Sequence, residues 1–152
     1  MISGSGIPQV SGELKGYIDE VWWKVLFAKL FGGIIAIGSG LSMGREGPSV
    51  QLGAMCGKGY SRLASKSMTE EKLLITCGAA AGLSAAFNAP IAGALFALEE
   101  LQKGFNREVL VSSMASSIAA DFVCRNVFGL DPIFDFSNAA PIPFSHIWIV
   151  LL

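Results

Sequence analysis

The longest uncharged run of the chain extends from Leu73 to Leu98, between Lys72 and Glu99, and Phe87-Asn88-Ala89-Pro90 interrupts it. Proline lacks the N–H that a helix interior needs and pushes the residue before it out of helical geometry, so one helix stops here and another starts. Crossing about 30 Å of hydrocarbon takes roughly 20 consecutive apolar residues. Neither piece of the run is long enough. The other uncharged stretches, Leu30–Gly44, Gly47–Gly57 and Val109–Ala120, are shorter still. Broken backbone at membrane depth survives only where protein buries it or a watery cavity solvates it. The pattern therefore predicts an all-α, multi-pass membrane chain of interrupted, re-entrant helices. Such breaks aim helix ends at a transported substrate.

Composition supports a membrane setting. Of the 152 residues, 52% are hydrophobic and 15% are charged, with a net charge of −1. Soluble domains carry about 25% charged residues. So apolar a chain is not disordered, and near-neutral charge gives nucleic acid nothing to bind. The 18 glycines follow no collagen-like period. They recur instead in small-xxx-small spacings, Ala36/Gly40/Gly44, Gly53/Gly57 and Gly78/Gly82, which let helix backbones approach closely. Cys56, Cys77 and Cys124 are too far apart for a zinc pattern or redox pair, and read as buried thiols. His146, beside Trp148, reads as a residue of the membrane edge. The first residues lack the basic and apolar regions of a signal peptide. No metal or cofactor is expected.

The expected helices are Ile7–Leu14, Trp23–Leu41, Glu46–Leu63, Glu70–Phe87, Pro90–Leu101 and Arg107–Phe128, with Thr69 as an N-cap before Glu70-Glu71. Lys58, Arg62, Lys66 and Lys72 make one hinge basic, and Lys103 and Arg107 another. The stretch from Gly129 to Phe144 carries Asp131 and Asp135 and no basic residue. Positive charge marks the cytoplasmic side, so the two hinges face inward and this stretch outward. His146–Leu152 begins a further apolar segment.

Two glycine-rich stretches, Gly4-Ser5-Gly6-Ile7-Pro8 and Gly44-Arg45-Glu46-Gly47-Pro48, each precede a helix with Pro just inside its start. A helix N-terminus offers unpaired N–H groups and partial positive charge, which suit an anion. A glycine-lined kink is the structural alternative. Glu46 is a carboxylate at membrane depth, a functional candidate by default. It can occupy an anion site itself, and leave it when protonated. A structural Arg45–Glu46 ion pair is the alternative, although adjacent helical residues do not face each other. At about 100° per residue, Glu99 and Glu100 point in different directions. Glu100 continues the face of Gly93 and Ala97, so it is the one expected to face the interior.

These two stretches, followed by the run from Ala79 to Leu101 (AAAGLSAAFNAPIAGALFALEEL), resemble the CLC family of chloride channels and proton–chloride exchangers in order and spacing, over Gly4 to about Phe128. Arg rather than Lys at position 45 resembles the prokaryotic branch. The resemblance implies the CLC fold of inverted repeats, in a homodimer whose subunits each hold a pathway. Residues 1–152 would be a partial transmembrane domain: a first-repeat portion and the start of the next helix. It implies chloride binding by Ser5, Gly6 and Ile7 in the first loop and by Arg45, Glu46 and Gly47 in the second. The Ser5 hydroxyl would hold the central chloride, and the second loop would supply backbone donors. Glu46 matches the gating glutamate and Glu100 the inner proton-transfer glutamate, with Glu99 its less critical neighbour. Segments 90–101 and 107–128 would contribute to the dimer face.

The resemblance thus implies chloride transport, as a proton-coupled exchanger in the prokaryotic inner membrane, with chloride, protons and lipid as partners. That is a carrier, not an enzyme. The alternatives are a passive channel of the same family, or a truncated fragment that only packs with other chains. Complete family cores are much longer. The second-half anion loop and late tyrosine are missing, and no tyrosine follows Tyr60.

Overall fold

The computed structural model describes residues 4–41 and 44–129. Six α-helices follow in order: α1 Ile7–Leu14, α2 Trp22–Gly38, α3 Glu46–Leu63, α4 Met68–Phe87, α5 Pro90–Phe96 and α6 Arg107–Phe128. A π-helical turn, Ala97–Gln102, extends α5. No strand occurs among the described residues. The expectations for residues 130–152, His146 and the outward-facing stretch included, lie outside the described residues.

The α3–α4 pair is the most extensive helix contact, and glycine sets its spacing. Gly53 and Gly78 lie reciprocally against each other's carbonyl oxygens, Gly57 against that of Leu74, and Gly82 against that of Ser49. A Cβ at any of the four would overlap backbone. Two of the three small-xxx-small spacings therefore work as expected. The third makes no such contact among the described residues: Gly40 lies beyond α2, at φ 83°.

α2 packs on α3 through Trp22, whose ring lies on Gly59, with Cε3 2.8 Å from where a Cβ would sit. α6 and α5 pack on the other side of α4. α1 is short and touches α3, α4 and the π turn. Val10 and Leu14 of α1 join Val25, Val50, Ala54, Met55, Ile75, Ala79 and Leu101 in the core. The pairs Val10/Leu14, Val50/Ala54 and Ile75/Ala79 stand at i, i+4 and turn one face of α1, α3 and α4 inward.

The sequence boundaries hold for α1, α3 and α6. α2 starts and ends earlier than expected. α4 starts at Met68 rather than Glu70, and its N-cap is Ser67, not Thr69. Ser67 and Glu70 form a reciprocal capping box that satisfies two otherwise orphan donors. At the far end Asn88 turns left-handed (φ 53°) and closes α4 before Pro90, as the break predicts.

Polarity is inverted on α2. Phe31 and Ile35 are 59% and 70% exposed, whereas Lys29 is 8% exposed. Glu13, Glu20, Gln51, Lys58 and Glu71 are buried as well. No helix of the described residues is long and apolar enough to cross a membrane.

Lys58 corrects the reading of the first hinge. It lies inside α3, buried, and is not a loop charge. Its ammonium pairs with Glu13 of α1 and donates to Asp19 Oδ1 (2.7 Å) and the Glu20 carbonyl (2.6 Å). Arg62 continues this cluster to Asp19 (3.4 Å) and to Glu71 of α4 (2.7 Å). The Glu20 N–H donates to Glu13 Oε2 (3.0 Å). The cluster thereby ties the α1–α2 link to the C-terminal half of α3. The bond from Lys58 holds the Asp19 carboxyl below the usual carboxylate range, helped by that lysine's charge.

Candidate anion site and proton-transfer residues

Local chemistry builds two helix starts. Gly6 caps α1 at φ 101°, a conformation that only glycine adopts readily, and Pro8 follows inside the first turn. Arg45 caps α3, and Pro48 stands in its first turn. The first amides of each helix have no partner within their own helix.

Tertiary packing then brings the two starts together. Gly47 lies directly on the Ser5 carbonyl, leaving no space for a side chain. A Cβ on Gly6 would meet Gln51 Oε1 at 2.7 Å and the Gly47 carbonyl at 3.0 Å. Ser5, Glu46 and Gly47 line one cavity of about 430 Å³, together with Gly4 and Lys29. The Glu46 carboxylate folds back over Gly44, inside that lining. Among the described residues Glu46 makes no ion pair with Arg45, so the structural alternative for that pair is not met. Partial positive charge from the start of α3, the Ser5 hydroxyl that precedes α1 and a tethered carboxylate therefore share one space. Such a space can hold a small anion or the carboxylate.

Not every candidate lies there. Gly6 is buried behind the cavity, and Arg45 and Ile7 do not line it. Ile7 borders two clefts on another side of α1, and Glu100 borders both. The cleft along α1 adds Pro8, Ser11, Gly12, Lys15 and Tyr17; Glu99 borders only the other. Ser5, at the Glu46 cavity, and Ile7, at the Glu100 clefts, are two residues apart in sequence.

The geometry corrects one expectation. Gly93 and Ala97 are buried, but Glu100 is exposed among the described residues, as is Glu99. Glu100 does not continue their face. The turn Ala97–Gln102 bonds in the i→i−5 pattern, so each residue advances by less than the 100° of an α-helix and Glu100 falls behind.

Lys29 is the residue that the sequence reading passed over. It lines the cavity, and its ammonium donates to the Gly4 carbonyl (3.0 Å). Its signal was available: a charge in the middle of α2, with apolar residues on both sides.

The family model described as voltage gated chloride channel matches residues 1–152. The chain is 44% identical over 135 residues to the H(+)/Cl(-) exchange transporter ClcA of Vibrio cholerae, covering 86% of this chain and 29% of that protein. It is 36% identical over 152 residues to the ClcA of Citrobacter koseri, covering 98% and 32%. It also resembles the crystal structure of a slow cyanobacterial Cl-/H+ antiporter, with a TM-score of 0.80 and 33% identity over 96% of this chain and 35% of that one. The chain spans about a third of the length of these relatives. It belongs to the voltage gated chloride channel family.

Proposed function

We propose that this chain is the part of a proton-coupled chloride exchanger that carries one half of the anion cage and both proton-transfer carboxylates. The observation that carries the reading is the meeting of the two helix starts at Ser5 and Gly47, with the Glu46 carboxylate in the cavity they line. Chloride binds beside Ser5 and the first amides of α3. Deprotonated Glu46 competes for the same positive helix end. A proton on Glu46 removes that competition, so anion entry and proton uptake are coupled. Glu100, at the clefts on another side of α1, passes protons to and from the cytoplasmic side.

The names of the relatives support this reading, as exchange transporters and an antiporter. The inverted polarity of α2 supports a membrane location, since lipid or further protein of the same fold must cover Phe31 and Ile35. Exposed Ile91, Leu95, Val111, Ile118 and Phe122 on α5 and α6 suit a homodimer face. The inner membrane of a prokaryote is the proposed site.

The test uses the full-length protein in liposomes, with chloride and proton fluxes recorded in parallel. Glu100→Gln should abolish proton movement while chloride still flows, and Glu99→Gln should be much milder. Unchanged proton transport in Glu100→Gln would remove the case for an exchanger and favour a passive channel.

A further inference from the structure

The π turn at Ala97–Gln102 decides where Glu100 points, and nothing in its composition requires it. The stretch Ala-Leu-Glu-Glu-Leu-Gln suits an ordinary α-helix. π turns are rare, and they are frequent at functional sites. The turn ends on Lys103, left-handed at φ 53°, whose N–H reaches back to the Leu98 carbonyl. Left-handed geometry is unfavourable for a lysine, and that backbone bond offsets part of its cost.

Apolar contacts hold one side of the turn, where Ala97, Leu98 and Leu101 are buried. They do not distinguish a π turn from an α turn, because either would bury small and aliphatic groups. One directional contact does. Gln102 Nε2 donates to Thr76 Oγ1 of α4 at 3.0 Å. The Thr76 hydroxyl spends its own proton on the Lys72 carbonyl (2.8 Å), so its oxygen is left as an acceptor. Thr76 is fully buried on α4, which glycine contacts lock to α3. The acceptor is thus fixed in the frame. Gln102 closes the π turn, two residues beyond Glu100. If the segment reverted to α-helix, Gln102 would rotate away from Thr76 and Glu100 would turn toward the buried face of Gly93 and Ala97.

We infer that the Gln102–Thr76 hydrogen bond is a latch that keeps the turn in its widened form and so aims Glu100 into the clefts beside α1. Gln102 and Thr76 are positioning residues that act through Glu100. The inference rests on the proposed role of Glu100 in proton transfer.

The test compares Thr76→Val, which keeps volume and removes the acceptor, with Gln102→Leu, Thr76→Ser and Glu100→Gln in the full-length protein in liposomes. Misplacing a reacting group by about 1 Å can cost on the order of a hundredfold. Thr76→Val and Gln102→Leu should lower proton flux about tenfold or more, with chloride flux within about twofold of the unmodified protein. Thr76→Ser, which retains the hydroxyl, should restore the proton-to-chloride ratio. Gln102 is exposed among the described residues, so Gln102→Leu carries the test should Thr76→Val fail to fold. Suppose Glu100→Gln stops protons while Thr76→Val and Gln102→Leu keep the full ratio. The latch is then wrong and the role of Glu100 stands. Equal loss of both fluxes in the latch variants reduces the contact to ordinary packing and overturns the inference. Proton transport that persists in Glu100→Gln overturns the latch and the reading beneath it together.

Discussion

Gly47 rests on the backbone of Ser5 so closely that a Cβ there would lie 2.7 Å from the Ser5 carbonyl carbon and 2.9 Å from its Cβ. This contact joins the starts of α1 and α3 into one site. The obstacle is backbone, which cannot swing aside as a long side chain would. Gly47→Ala should therefore push the two helix starts apart and cost about 1–3 kcal/mol of stability. Chloride binding to the full-length protein should weaken at least tenfold by titration calorimetry. Unchanged chloride affinity would show that the two starts do not share an anion.

Ser5 contributes a compact hydroxyl donor at the cavity wall. Proline at this position would offer an anion neither a hydroxyl nor an N–H. The unmodified full-length protein should prefer chloride to nitrate, and Ser5→Pro should bring the two fluxes close together. Anion-exchange rates from liposomes measure this directly.

Among the described residues, Glu46 is the only carboxylate lining the cavity. Glu46→Gln keeps the shape of the protonated side chain and removes the tethered charge. Chloride flux should persist, lose its dependence on pH, and drive no protons. A Glu46→Gln protein that still pumped protons uphill on a chloride gradient would show that coupling lies elsewhere.

Lys58 holds Glu13, Asp19 and the Glu20 carbonyl together at a buried point. Taking away one partner of a buried ion pair costs about 3–5 kcal/mol, because the other charge is left uncompensated. Lys58→Met should lower the thermal midpoint of the full-length protein in detergent accordingly. Acid should act on the same cluster through Asp19. Its folded carboxyl titrates below the ordinary value of about 3.9, so its stabilisation is complete above that value and is lost as pH falls through the folded one. Thermal midpoints between about pH 5 and pH 2 should fall less steeply in Asp19→Asn than in the unmodified protein.

Much of this was legible in the residues because the signals are local. Proline and glycine place the starts of α1, α3 and α5 without help from tertiary structure, and the glycine spacing of α3 and α4 announces their close contact. The cap of α4 was also local: Ser67-Met68-Thr69-Glu70 carries the capping-box spacing, which the weaker signal at Thr69 obscured. Other features were not legible. Lys58 and Glu13 are far apart in sequence, so their meeting depends on how α1 crosses α3. The π turn is a change of bonding partner by one residue. Helix propensity does not register it, and the direction of Glu100 was therefore misread.

The reciprocal fit of Gly53 and Gly78 bears on how the proposed exchanger would work. Two helices that meet through backbone, with no side chain between them, have no soft layer in which to slide. A shift of one residue would set a larger side chain against a carbonyl oxygen at several levels at once. The α3–α4 plate is therefore a stator. The motions of the proposed transport cycle fall to what this plate does not clamp, the Glu46 side chain at the cavity.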